Sequence, residues 1–199
     1  MQARMQDIST PICILAGGAS RRFGSPKGLA LLNGETLLDR VSRAVSAQTQ
    51  GPVALNTAPD GPYAGTSLPI VPDLAEGQVG ALIGLHAAMH WAAKIGSSFV
   101  VTCPIDTPFL PQDLVSRLHD SGAPAICASN GRWHPIIGLW PTALAAELED
   151  FLKMEARSVH AWAQRCGSAV IDFSVDEARR DPFFNINSQS DLDAAKAAK

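Results

Sequence analysis

Along this chain, short apolar runs that stop at turn residues alternate with stretches of helical periodicity, and that alternation limits the possible folds more than any other feature. Residues 11–15 (PICIL) form a continuous apolar run closed by Ala16-Gly17-Gly18, the pattern of a buried strand entering a turn. Residues 98–103 (SFVVTC) give the clearest strand signal, halted by Pro104, and 53–56, 68–71, 125–128 and 169–173 are further strand candidates. Between them, Leu37, Leu38, Val41, Ala44 and Val45 recur at helical spacing and predict a helix over 36–47. Residues 79–94, 111–120, 141–153 and 159–165 also read as helices, although Gly80 and Gly84 weaken the first turns of the 79–94 segment. Ser188-Gln189-Ser190-Asp191 resembles a capping box opening a last helix. Such alternation predicts an α/β fold, a three-layer sandwich whose mostly parallel sheet carries helices on both faces. In sheets of this kind ligands sit outside the carboxyl ends of the strands.

With 199 residues, 46% hydrophobic and 18% charged, the chain has the size and composition of one globular domain, with a core that needs no metal or disulfide staple. The net charge of -3 gives it no general reason to bind duplex nucleic acid or an anionic membrane surface. A polyanionic ligand must therefore be met by a local group of cations and backbone amides. The longest weakly polar run, residues 79–93, carries His86 and His90 and is too short and too polar to cross a bilayer. The first ten residues lack the order of a signal peptide, and Cys13, Cys103, Cys127 and Cys166 form no CxxC pair, so a reduced cytoplasm is the expected compartment.

One segment answers the need for local cations. Directly after the first strand comes LAGGASRRFGSPK, residues 15–27. Gly17 and Gly18 allow close backbone approach to an anion, and Arg21, Arg22 and Lys27 add three cations. The spacing fits neither a P-loop nor a dinucleotide fingerprint. Asp106, after the clearest strand and between Pro104 and Pro108, is placed to ligate a hard divalent cation or to cap a helix. Asn56 and Asp73 stand at strand ends, where either turn chemistry or ligand contact accounts for them.

The pattern L-A-G-G-x-S-x-R-x-G-x-x-K resembles the signature of nucleotidyltransferases that activate small molecules, and its G-G form resembles the molybdenum cofactor guanylyltransferase family (MobA type). Asp73 with Gly80-Ala81-Leu82-Ile83-Gly84, Cys103 through Pro111, Arg132-Trp133-His134-Pro135 and Phe184-Asn185-Ile186-Asn187-Ser188 are similar to later family segments in the expected order. Phe23, Ala81 and Ile83 depart from that pattern. The resemblance implies a single domain over 1–199 with a Rossmann-like sheet of the nucleotidyltransferase type. Its nucleotide-binding half is expected at about 10–115 and its acceptor, pterin-binding half at about 116–199. It further implies that Leu15, Ala16, Gly17, Gly18, Lys27, Asn56, Asp73 and Asp106 bind the nucleotide, with Mg²⁺ on Asp106. Lys27, Asp106 and Arg22 are the expected catalytic residues, and His134, Asn185 and Asn187 the expected pterin contacts. The implied reaction transfers GMP from GTP to the phosphate of Mo-molybdopterin and releases pyrophosphate. Expected partners extend to other molybdenum cofactor biosynthesis proteins and to apo-molybdoenzymes or their chaperones.

Alternatives stay open at this level: transfer of CMP or another NMP to molybdopterin or a different phosphorylated acceptor, or a non-catalytic GTP-dependent adaptor that delivers the cofactor. Trp91, Trp140 and Trp162 read as core residues, and Trp133 as a candidate for pterin stacking. His86 and His90 have the i, i+4 spacing of a zinc pair, yet residue 87 is Ala where a zincin has Glu and no third ligand is evident, so the pair reads as ordinary helix-face histidines.

Overall fold

The computed structural model describes residues 8–17, 26–74, 80–154, 158–175 and 180–197. Seven strands form one sheet: β1 (Ile12–Leu15), β4 (Val53–Asn56), β5 (Ile70–Val71), β6 (Phe99–Pro104), β7 (Ala125–Ser129), β8 (Arg132–Pro141) and β9 (Ala169–Asp172), in the order β5-β4-β1-β6-β8-β7-β9. All adjacent pairs are parallel except those of β8, which runs antiparallel to both β6 and β7. A small hairpin of β2 (Leu31–Leu32) and β3 (Glu35–Thr36) turns through Asn33 and Gly34, both at positive φ, as a tight two-residue hairpin requires.

Side chains alternate across the sheet and so build two cores. Ile12, Ile14, Leu55, Val101 and Cys103 face α1 (Leu37–Ser46) and α3 (Leu114–Asp120). Cys13, Ala54, Val100, Ile126 and Trp140 face α2 (Ala81–Lys94), α4 (Ala145–Lys153) and α5 (Val159–Arg165). The expected three layers are present, and Trp140 and Trp162 are fully buried in the second core. Burial of this kind contributes roughly 1.5–3 kcal/mol for each large side chain. Cys13, Cys103 and Cys127 are buried in the sheet, and burial pushes the Cys103 thiol up to about 12, so it packs as a hydrophobe.

Local sequence explains the ends of the elements. Thr36 caps α1: its hydroxyl accepts from the Asp39 N–H at 3.0 Å and donates to the Asp39 carboxylate at 2.7 Å, worth about 1 kcal/mol. Ser188 and Asp191 form the predicted capping box at the start of α6 (Gln189–Ala197), exchanging bonds of 3.2 and 2.8 Å.

Besides the β2–β3 hairpin, which no strand candidate covers, three elements differ from expectation. The helix expected from residue 141 begins only at Ala145, because Pro141 ends β8 and Thr142–Leu144 make a 3-10 turn. The helix expected from Pro111 starts at Leu114 after a turn closed by Leu114 N–H on the Pro111 carbonyl. Strand β8 itself was not expected, since prolines, His134 and Gly138 interrupt its apolar pattern. Its pairing with β7 jumps from Ile126↔Gly138 to Cys127↔His134, so residues 135–137 stand outside that ladder. Pro135 has no N–H to give a ladder, which suits it to this bulge.

Candidate active site

The register that pairs Leu15 with Asn56 on one side and with Pro104 on the other brings three strand ends to one edge of the sheet. From β1 the chain goes out to β4 and β5 and then returns to β6 on the far side of β1. Consecutive connections thus diverge between β1 and β6, the point where an open α/β sheet leaves a crevice. A cavity of about 540 Å³ opens there, within the range of small-ligand sites.

On one wall, Asn56 is buried and its Nδ2 donates to the Asp73 carboxylate at 2.8 Å and to the Val71 carbonyl at 3.0 Å. Its Oδ1 is buried without a hydrogen-bond partner among the described residues. Gly84 explains its own place in α2 here: a Cβ on it would lie 2.5 Å from that oxygen. The glycine that weakens the helix signal is therefore what lets α2 approach the strand end.

Lys27 lies in a 3-10 turn (Lys27–Leu29) whose following residue, Gly28, donates its N–H to the buried Tyr63 hydroxyl at 3.0 Å. Lys27 Nζ donates to Asp106 Oδ2 at 2.9 Å and to Asn187 Oδ1 at 2.6 Å. The other Asp106 oxygen, Oδ1, is buried and without a side-chain or main-chain partner among the described residues. Burial raises the Asp106 carboxyl above its ordinary range, and the Lys27 hydrogen bond and charge partly offset that. A buried carboxylate oxygen that no side chain engages among the described residues suits a hard divalent cation, so the residues fit such an ion. The Asp106 carbonyl accepts from Ile186 N–H at 2.9 Å, fixing the 184–188 segment to this loop.

The opposite wall comes from β8, β7 and the segment before α6. Ser129 Oγ donates to Asp181 Oδ1 at 2.7 Å and lies 2.8 Å from His134 Nε2. A serine hydroxyl has a single proton, so His134 must donate from Nε2 and keep Nδ1 as an acceptor. Burial lowers the His134 pKa, against the charge of Asp181, consistent with a neutral ring. The Trp133 ring stacks on His160, interplanar angle 2° and centroids 6.0 Å apart.

Of the residues singled out from sequence, Leu15, Gly17, Asn56, His134, Asn185 and Asn187 line the cavity. Asp73 sits one hydrogen bond behind Asn56, and Lys27 one behind Asn187, with Asp106 paired to Lys27. The Ala16 N–H bonds the Asn56 carbonyl at 3.0 Å. Gly18, Arg21, Arg22 and Phe23 lie outside the described residues. Ser129, Asp181 and His160 sit in no recognisable pattern, and only the fold brings them to the cavity or behind it; Thr107, which also lines the cavity, lies within the Cys103–Pro111 segment.

Parallel strand ends, a lysine–carboxylate pair and a cavity between two walls define an α/β protein with a ligand site at the carboxyl edge of its sheet. The MobA-like NTP transferase domain matches residues 12–169. A molybdenum cofactor guanylyltransferase of Acidiphilium cryptum is 44% identical over 189 residues, covering 94% of this chain and 93% of that protein. One from Rhizobium leguminosarum bv. trifolii is 42% identical over 192 residues, covering 92% and 90%. Among solved structures, molybdopterin-guanine dinucleotide biosynthesis protein A from Archaeoglobus fulgidus superposes with a TM-score of 0.69 at 24% identity, covering 94% of this chain and 97% of that one, and so supports the fold. The chain belongs to the MobA-like nucleotidyltransferases, the family of the molybdenum cofactor guanylyltransferases. It is accordingly a nucleotidyltransferase of molybdenum cofactor biosynthesis. Among the described residues, no helix is long and apolar enough to cross a membrane.

Proposed function

We propose that this chain transfers GMP from GTP to the terminal phosphate of Mo-molybdopterin, giving the guanine dinucleotide form of the cofactor and pyrophosphate. The observation that carries this reading is the buried Asp106 Oδ1, unpartnered among the described residues, beside Lys27 at the carboxyl edge of β1 and β6. The names of the relatives at 42–44% identity, molybdenum cofactor guanylyltransferases, support guanine as the base and the molybdenum cofactor as the acceptor.

In this reading an oxygen of the acceptor phosphate attacks the α-phosphorus, and the bond from that phosphorus to the bridging oxygen of the pyrophosphate breaks. An ionised phosphate is already a nucleophile, so the protein's task is in-line positioning and charge neutralisation. Lys27 and Arg22 offset charge on the leaving pyrophosphate, and the backbone of Leu15, Ala16, Gly17 and Gly18 approaches the nucleotide. Asn56, oriented by Asp73, offers its free Oδ1 to a donor on the nucleoside. Asp106 would hold Mg²⁺, which would supply Lewis-acid stabilisation of the transition state. His134, Asn185 and Asn187 serve the pterin, and the residues of about 10–115 and 116–199 act as nucleotide-binding and acceptor halves of one domain. Other cofactor-biosynthesis proteins and apo-molybdoenzymes or their chaperones take the product onward.

The test offers GTP, CTP, ATP and UTP together with Mo-molybdopterin and identifies the dinucleotide by mass. A guanine product is expected. A cytosine product would replace GMP by CMP transfer, and tight GTP binding without pyrophosphate release would make the chain a delivery adaptor.

A further inference from the structure

Away from the cavity, the packing of α4 on α2 completes a donor set that the sequence left at two. His86 and His90 share one face of α2 at i, i+4, and their Nε2 atoms face each other at 3.0 Å with the rings edge to face, 82° apart. Glu149, on α4, brings a carboxylate to the same point, and ligand atoms of all three residues lie within 4.8 Å of one another. His86 is buried, at 7% exposure, while His90 and Glu149 are exposed and leave a path for an ion.

We infer that His86, His90 and Glu149 form a binding site for a divalent transition-metal ion of the Zn²⁺ class, which ties α2 to α4. Two imidazoles and one carboxylate with a fourth position left to water are an open zinc-type set, whereas Mg²⁺ takes oxygen ligands in octahedral geometry. Zinc–nitrogen bonds of about 2.0–2.1 Å at a tetrahedral angle separate two ligand nitrogens by roughly 3.3 Å. The two histidines therefore need to part by only about 0.3 Å from their 3.0 Å spacing. Recruiting Glu149 breaks its 3.2 Å ion pair with Lys153, but Lys153 retains Asp150 at 3.0 Å. The site is chemically distinct from Asp106: nitrogen donors select a borderline ion, and the lone oxygen carboxylate does not.

The chelator-stripped, untagged protein is titrated with Zn²⁺ in competition with a metallochromic chelator, and with Co²⁺ for its visible spectrum. Wild type should take one equivalent of Zn²⁺ that excess Mg²⁺ does not displace. Its Co²⁺ spectrum should show ligand-field bands without thiolate charge transfer. His90→Ala, an exposed helix position where Ala is the best helix former, should retain its circular dichroism and lose at least about 100-fold in Zn²⁺ affinity, beyond the cost of losing an outer-shell partner. Glu149→Gln should lose about 10-fold or more, and Asp106→Ala should keep the full equivalent. No Zn²⁺ bound by wild type, an affinity left unchanged by His90→Ala or Glu149→Gln, an equivalent lost in Asp106→Ala, or a thiolate band would each overturn the assignment. None of these readouts depends on guanylyl transfer.

Discussion

The two walls of the cavity use hydrogen bonds in opposite ways. On the proposed nucleotide side, Asn56 and Asp106 each hold one oxygen that is buried and unpartnered among the described residues, while on the proposed acceptor side Ser129, His134 and Asp181 direct their bonds to one another. A buried, unsatisfied oxygen costs on the order of 1–3 kcal/mol, so the first wall is incomplete until a ligand or ion supplies partners. The second is built in advance and sets shape. The difference teaches that charge handling and acceptor positioning are separable here, and substitutions can probe each wall alone.

The sharpest break should come from Asp106→Ala, which is expected to lower turnover on the order of 10³-fold with the fold retained. Turnover assays at saturating Mg²⁺ beside a thermal melt check this, and near wild-type activity would remove Asp106 from the metal. Lys27→Ala is next: a loss of roughly 10²-fold in kcat/KM, with nucleotide affinity falling too. Unchanged GTP affinity and rate would make Lys27 a bystander. Gly84→Ala sets a Cβ 2.5 Å from Asn56 Oδ1 and should raise the nucleotide KM about 10-fold, from an overpacking cost of about 1–3 kcal/mol. An unaltered KM would show that Asn56 has no role in the base pocket. On the other wall, Ser129→Ala should cost about 1 kcal/mol of stability and raise the acceptor KM several-fold while leaving the nucleotide KM alone. If both KM values moved together, the walls would not be separable.

The smallest effect is one of pH. Burial depresses the pKa of His86, His119 and His134 below the ordinary 6.5. Each therefore binds fewer protons folded than unfolded, so its contribution to stability is present above about 6.5 and is lost as pH falls through the lowered folded value. Urea midpoints measured downward from neutral pH should decline, and less steeply in His119→Gln, which lacks one of the three groups. A midpoint flat across this interval would contradict the sign.

What the sequence shows of this site is what lies contiguous in the chain. Leu15 through Gly17, Lys27, the Asp106 loop and the Ser188–Asp191 cap are each recognisable within a dozen residues, because strand ends and caps are local chemistry. Ser129, His134 and Asp181 meet only when β7, β8 and the segment before α6 pack, and no spacing announces that. The bulge of β8 escapes pattern reading for a related reason: its prolines argue against a strand while the fold uses one of them to leave the ladder. Gly84 reads as a flaw in a helix until Asn56 is seen against it. Glu149 likewise becomes a third donor for His86 and His90 only through the packing of two helices.

The bond from Lys27 to Asn187 joins residues 160 positions apart, and Ile186 N–H closes on the Asp106 carbonyl beside it. During synthesis, the first strand and the phosphate-side lysine leave the ribosome long before their partners exist. The nascent sheet can thus assemble while its charged edge stays unfinished, and the Lys27–Asn187 bond closes only once the segment around Asn187 has emerged.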